Sequence, residues 1–164
     1  MLIRDATAED WNQIWPFLRL IVADGETYCL PVDTAEDAAR TWWMAKPGGR
    51  VFVAEEDGRI LGTAEMHPNQ PGAGSHVANA GFMVSPAAER RGIGRALATH
   101  VISVATASGY RAMQFNAVVE TNAGAVRLWQ SLGFSILATV PEAFLHPRNG
   151  YVGLHVMHQA LPRG

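Results

Sequence analysis

Apolar residues recur at helical spacing through Trp11, Ile14, Trp15, Leu18 and Val22, behind Thr7 and Asp10 set three apart as in a helix cap. The spacing predicts a first helix over about residues 8–22, after a short strand just beyond Met1. Thr34 and Asp37 repeat the capping arrangement before Ala38, Trp42 and Ala45, which predicts a shorter second helix. The period then shortens. Residues 50–55 and 59–67 read as two antiparallel strands around Asp57-Gly58, a pair suited to the positive φ of a tight hairpin. The loop HPNQPGAGSH leads into a strand over 77–84. Leu97, Val101, Ile102 and Ala105 mark a helix over 94–108, with Gly109 as its stop. RAMQFNAVVE is a mostly buried strand, and Ala125, Val126, Leu128, Trp129 and Leu132 place another helix over 122–132 before Gly133. Two further strands, 135–140 and 151–157, flank a proline-containing loop. With no repeat or linker dividing this order, residues 1–164 are expected to form a single domain. Strand, crossover helix and strand favour an α/β fold, and the earlier hairpin makes its sheet mixed.

Composition agrees with a packed core, since 48% of residues are apolar and 17% charged, which argues against a disordered chain. The net charge of −2 conceals an asymmetry: residues 1–89 hold 6 basic and 13 acidic side chains, residues 90–164 hold 7 and 2. That local positive excess is too sparse for general nucleic-acid binding and suits one anionic ligand. A lone Cys29 excludes a disulfide framework, a multi-cysteine zinc site and an iron–sulfur cluster built from this chain alone. His155 and His158 fall on opposite faces of a regular strand, so no metal site is expected. Neither a secretory segment nor a membrane-length apolar run is present, so a cytoplasmic protein without membrane association is expected.

In VSPAAERRGIGRAL, Gly92 and Gly94 remove side chains where a chain leaving a strand can aim consecutive amides at a phosphate, beside the positive end of a helix. Arg90, Arg91 and Arg95 add a positive field. The same residues also suit a plain helix-start turn under a solvent-facing Arg cluster. The segment is neither a GxxxxGK[ST] loop nor a full dinucleotide fingerprint, whose third glycine would fall at Leu97.

With VSPAAERRGIGRAL at 84–97 followed by NAGAVRLWQSLGF at 122–134, the sequence resembles the GCN5-related N-acetyltransferase (GNAT) family over essentially its whole length. GETYCLP at 25–31, QFNAVVETN at 114–122 and VPEAFLHPRNGYVGLHVM at 140–157 are similar, more narrowly, to bacterial relatives of the yeast proline-analogue acetyltransferase. The resemblance implies an acyl-CoA N-acyltransferase-like fold, a mixed and mostly antiparallel sheet flanked by helices with a central splay. It implies acetyl-CoA as co-substrate, its pyrophosphate held by main-chain amides of Arg91, Gly92, Ile93, Gly94, Arg95 and Ala96. The main chain of Met83 and Val84 would pair with the pantetheine arm, with Asn122 and Trp129 beside it. Three positions depart from the family pattern. Glu89 and Arg90 stand where Gln or Arg and then glycine are usual, and Trp129 stands where many members carry the tyrosine that protonates the departing sulfur.

The implied reaction is direct attack of a small molecule's amine on the thioester, with no side-chain nucleophile; the acceptor would be an amino acid or an analogue. Cys29 lacks the paired His and Asp that would activate it. Asn79, on the strand before the turn, Asn116 and Glu120 are the candidate catalytic residues; Asn116 would orient the acceptor and Glu120 would take its proton, these two sharing a side if their strand stays regular. Glu26 and Tyr28 would border the acceptor, and His146 and Tyr151 would close its pocket, shared across a homodimer. Competing readings are a noncatalytic acyl-CoA sensor and an enzyme that acetylates protein amines.

Overall fold

The computed structural model describes residues 1–162, so the last two positions of the expected 1–164 domain lie outside the described residues. Strands β1 (Leu2–Asp5), β2 (Arg50–Glu56), β3 (Arg59–Pro68), β4 (Val77–Val84), β5 (Ala112–Val119), β6 (Ser135–His146) and β7 (Gly150–Ala160) build one sheet in the order β1-β2-β3-β4-β5-β7-β6. All neighbours run antiparallel except β4 and β5, whose crossover is helix α3 (Ile93–Ala107). Helices α1 (Trp11–Asp24) and α2 (Glu36–Met44) precede β2, and α4 (Ala123–Ser131) joins β5 to β6. The architecture is the mixed α/β single domain with the splayed sheet that the sequence led us to expect.

Each face of the sheet has its own apolar layer. Leu97, Val101 and Ala105 of α3 pack on one face with Phe52, Met66 and Met113, and Trp129 of α4 joins them. On the other, Trp11, Ile14 and Leu18 of α1 and Trp43 of α2 meet Val53 and Met83. Full burial of such side chains contributes about 1.5–3 kcal/mol each, which makes these two layers the principal source of cohesion.

The parallel pairing of β4 with β5 covers only Val77↔Ala112 and Ala78↔Met113. At the next step a side chain replaces the ladder: Asn79 Nδ2 donates to the Gln114 carbonyl at 2.8 Å. Beyond it the strands part around an aromatic wedge, with Phe82 and Trp129 centroids 4.9 Å apart and Phe115 and Trp129 4.8 Å apart. An irregularity between Phe115 and Val118 shifts β5 against β7 at the same level.

Several boundaries differ from the sequence expectation. The first helix begins at Trp11, because the Asp10 carboxylate folds back to accept the Thr7 N–H at 2.7 Å and two bonds from Arg4. Thr34 likewise donates to the Pro31 carbonyl and does not cap α2. The proline-containing segment after residue 140 is strand, not loop: β6 runs on to His146 through a shift between Val140 and Phe144 with Glu142 at φ 51°. Pro141 is tolerated because β6 is the edge of the sheet.

Candidate active site

The splay opens into a cleft of about 510 Å³ between β4 and β5. Ladder alternation decides which main-chain groups face it. Ser85 donates to the Leu61 carbonyl and Asn69 to the Val77 carbonyl, so odd-numbered positions of β4 direct their polar groups to β3 and even-numbered ones to the cleft. The expectation that Met83 pairs with a pantetheine arm is therefore corrected: its carbonyl lies against Gly62 of β3, while Phe82 and Val84 present main chain to the opening. In a splayed parallel pair those groups have lost their strand partner; the Tyr28 hydroxyl takes both at Phe82, which leaves those of Val84 to an extended amide-bearing ligand.

At one end of the cleft the chain turns into α3. Arg90 has φ 61° and Gly92 φ 78°, and α3 starts at Ile93 with no side-chain cap and no acidic residue in its first turn. Gly92, Ile93, Gly94 and Arg95 thus keep amides that the helix itself cannot satisfy. Ala96, included in the expected cradle, does not belong to it, since its N–H donates to the Gly92 carbonyl at 3.0 Å. The side chain of Ile93 is buried in the core, leaving only its main chain to a ligand. The Arg91 guanidinium is held by Glu56, and Arg95 Nη2 donates to Ser131 Oγ at 2.8 Å. A pyrophosphate fits this uncapped turn in shape and charge.

Toward the α1–α2 face the walls change character. Tyr28 is half-buried against Trp42 and Trp43 and lines the cleft, its hydroxyl bonded to both main-chain groups of Phe82. Burial and the charge of Glu65 hold this phenol well above its ordinary pKa, so it remains a hydroxyl. Glu26 also lines the cleft and pairs with Arg148 at 2.7 Å. Asn116 reaches the rim, accepting from Gln114 Nε2 at 2.9 Å and donating to Asn69 Oδ1 at 2.7 Å. Asn122 caps α4 through its Oδ1 to the Ala125 N–H, and Trp129, 8% exposed, packs on Phe82 and Phe115. Cys29 borders the cleft with its thiol pushed up by burial, which disfavours the thiolate.

Three expected residues sit elsewhere. Glu120 does not share the Asn116 side, because the irregularity at Phe115–Val118 breaks the alternation; its Oε1 accepts the Gly153 N–H of β7 at 2.5 Å. His146 is buried at the β6–β7 turn, where Nδ1 accepts from the Arg148 and Asn149 N–H groups. It lines a second cavity of about 420 Å³ that also touches Glu26 and Asn122. Tyr151 is 68% exposed and borders neither cavity of its own chain.

Glu65 of β3 was missed. It is 3% exposed, lines the cleft and takes Lys46 Nζ on Oε1 at 2.6 Å, with His67 Nε2 3.8 Å from Oε2. Its signal in the sequence was an acidic residue in phase with Thr63, inside the otherwise apolar GTAEM run of a strand. Burial raises its pKa above the ordinary glutamate value, and Lys46 and then His67 offset part of that rise.

The profile of the Acetyltransferase (GNAT) family matches residues 8–134. N-acetyltransferase aca1 of Schizosaccharomyces pombe is 36% identical over 89% of this chain and 78% of that protein. L-amino acid N-acetyltransferase AaaT of Escherichia coli is 29% identical over 96% of each. Among solved structures, a GCN5-related N-acetyltransferase from Kribbella flavida superposes with TM-score 0.94 and 55% identity over 98% of this chain and 97% of that one. The acetyltransferase yncA of Salmonella typhimurium with its cofactor acetyl-CoA superposes with TM-score 0.88 and 26% identity over all of this chain and 95% of that one. With the family profile over most of its length and relatives that are N-acetyltransferases, this chain belongs to the GNAT family and is an acetyl-CoA-dependent N-acetyltransferase.

Proposed function

We propose that the acceptor is the amine of an amino acid or a close analogue, and that residues 1–164 act as one catalytic domain in the cytoplasm, without nucleic-acid partners. The observation that carries this reading is the shape of the cleft: it runs from Val84, Pro86 and Glu89, just before the uncapped turn at Gly92, past Phe82, to a pocket walled by Tyr28, Trp42 and Glu65. Such a half-enclosed end suits a small polar molecule. The amino-acid substrate in the name of the Escherichia coli relative points the same way.

Bound acetyl-CoA supplies an activated acetyl thioester. Amides from Gly92 to Arg95 bind its phosphates, and Val84 orients the pantetheine arm through its main chain. The Phe82 N–H is placed to stabilise charge developing on the thioester oxygen once Tyr28 releases it. Trp129 packs beside the arm, and its indole N–H is too weak an acid to protonate the departing sulfur. Asn116 and Glu26 position the acceptor at the rim, while Asn79 sets the width of the opening.

A homodimer is proposed along β6, an edge strand whose neighbourhood exposes Leu137 by 62%, Leu145 by 64% and Tyr151 by 68%. Tyr151 would then face the partner. Light scattering at two protein concentrations checks this, and a monomer at both sinks it.

The central test measures CoA release from acetyl-CoA with amino acids, their analogues, polyamines and short peptides, with product mass determined. Turnover of amino-acid amines supports the reading. Turnover of peptides alone overturns the acceptor class and leaves the acetyl-CoA chemistry intact.

A further inference from the structure

We propose that Glu65 is the catalytic base that takes the proton from the acceptor nitrogen. The inference rests on the acetyl-transfer reading above and adds a residue that the motifs of the chain do not mark.

A carboxylate 3% exposed in the middle of a strand is costly to bury unless its oxygens are satisfied. Oε1 is bonded to Lys46 Nζ, but among the described residues Oε2 has no hydrogen-bond partner. An orphaned buried acceptor in a cleft wall is complementary to an incoming N–H donor. Its position fits the chemistry. Glu65 pairs across the ladder with Gly81, the residue before Phe82, and a Cβ at Gly81 would stand 2.9 Å from Glu65 Oε1. The missing side chain at Gly81 therefore leaves the carboxylate beside the main chain that receives the thioester.

The titratable groups facing Glu65 are Lys46 just after α2, His67 on the same strand and Tyr28 from the segment between α1 and α2; β4 contributes none. Asp24, Glu26, Cys29 and Glu89 line the same cleft. One cation against several carboxylates favours an acceptor that arrives as an ammonium ion. Burial lifts the Glu65 pKa above the ordinary glutamate value, the direction that makes a carboxylate the better proton acceptor, with Lys46 and then His67 opposing the rise.

The step balances as follows. The ammonium gives one proton to Glu65, directly or through one water, leaving a neutral amine. The nitrogen lone pair forms the N–C bond to the acetyl carbon, the C–S bond breaks, and the second proton passes from nitrogen to the CoA sulfur. The products are the acetamide, CoA thiol and a protonated Glu65, which returns its proton to solvent past His67, whose side chain is 21% exposed.

The test uses Glu65→Gln with whichever amine of the panel above the wild-type protein acetylates, peptide or amino acid, so that a wrong acceptor class does not obscure the result. Glu65→Gln is expected to lose roughly 10²–10⁴-fold in kcat/KM at pH 7, to lose the acidic limb of its pH profile, and to bind acetyl-CoA within about twofold of wild type. A wild-type rate and profile would overturn the assignment, and so would loss of acetyl-CoA binding in step with the rate. Lys46→Met provides the second arm should Glu65→Gln fail to fold. Removing the cation favours the protonated carboxyl, so the acidic limb must move to higher pH; an unmoved limb overturns the proposal.

Discussion

The hydroxyl of Tyr28 holds both main-chain groups of Phe82, donating to its carbonyl at 2.7 Å and accepting from its N–H at 3.1 Å. It stands where β5 would have lain had the parallel ladder continued as far as Phe82. One side chain thus satisfies the backbone that the splay exposes, at the point where acetyl transfer needs a free N–H.

Tyr28→Phe should therefore separate stability from binding. Loss of two hydrogen bonds to a part-buried main chain is expected to cost about 1–2 kcal/mol, read as a lower Tm. Acetyl-CoA affinity should hold or improve, because the hydroxyl no longer competes for Phe82. A fall in affinity at unchanged Tm would contradict the competition.

Asn79 is expected to behave as the clasp of the splay and not as an acid or base. Asn79→Ala leaves the Gln114 carbonyl without its side-chain donor, at a cost of about 1–3 kcal/mol, and should raise the KM for acetyl-CoA. The pH profile of kcat should keep its shape. A displaced profile would contradict the clasp role.

For the phosphate turn, Gly94 gives a clean probe because a Cβ there would meet Val84 Cγ2 at 3.6 Å and Leu128 Cδ2 at 3.7 Å, ordinary contacts. Gly94→Ala should fold with a Tm near wild type. Gly94→Val adds bulk beside the open amides and should weaken acetyl-CoA binding at least about tenfold, or about 1.4 kcal/mol. Calorimetric titration checks both, and equal affinities for the two variants and wild type would remove the turn from the binding site.

Acid sensitivity should trace to Asp10. The hydrogen-bonded Arg4 guanidinium holds its carboxyl below the ordinary value of 3.8, outweighing the opposing effect of burial. A depressed folded-state pKa contributes stability that is fully present above the unfolded value and is lost as pH falls through the folded one. Urea midpoints of wild type should therefore drop below about pH 4, whereas Asp10→Asn, destabilised at pH 7 by about 1–3 kcal/mol, should drop less steeply over the same range. Parallel curves would contradict the assignment.

The order of elements could be read along the chain because local periodicity and turn chemistry are local properties. The strand over 77–84, the hairpin at Asp57-Gly58 and the helix ended by Gly109 stand in the fold at or within one residue of where periodicity put them. The two motifs around Gly92 and Asn122 also named the family, since a phosphate-binding turn is built from consecutive residues whose main chain does the work. Helix starts were less legible: the Thr7–Asp10 pairing forms, but Asp10 also binds Arg4 and the helix begins only at Trp11, while Thr34 turns back to Pro31, and a capping pattern takes neither Arg4 nor Pro31 into account.

The chemical end of the cleft was decided by tertiary structure. Met83 and Val84 are neighbours in sequence, and only the pairing of β4 with β3 determines which turns its amide to the opening. Glu120 looked equivalent to Asn116 until the irregularity in β5 sent it to Gly153. Glu65, Lys46 and Tyr28 are spread over nearly forty positions and meet through strand pairing and the packing of α2 on the sheet. Burial and proximity make Glu65 reactive, and both arise from residues distant in the chain. Sequence alone therefore determined the fold, the family and the co-substrate of this protein, and the tertiary structure determined which carboxylate is buried in the wall of the cleft.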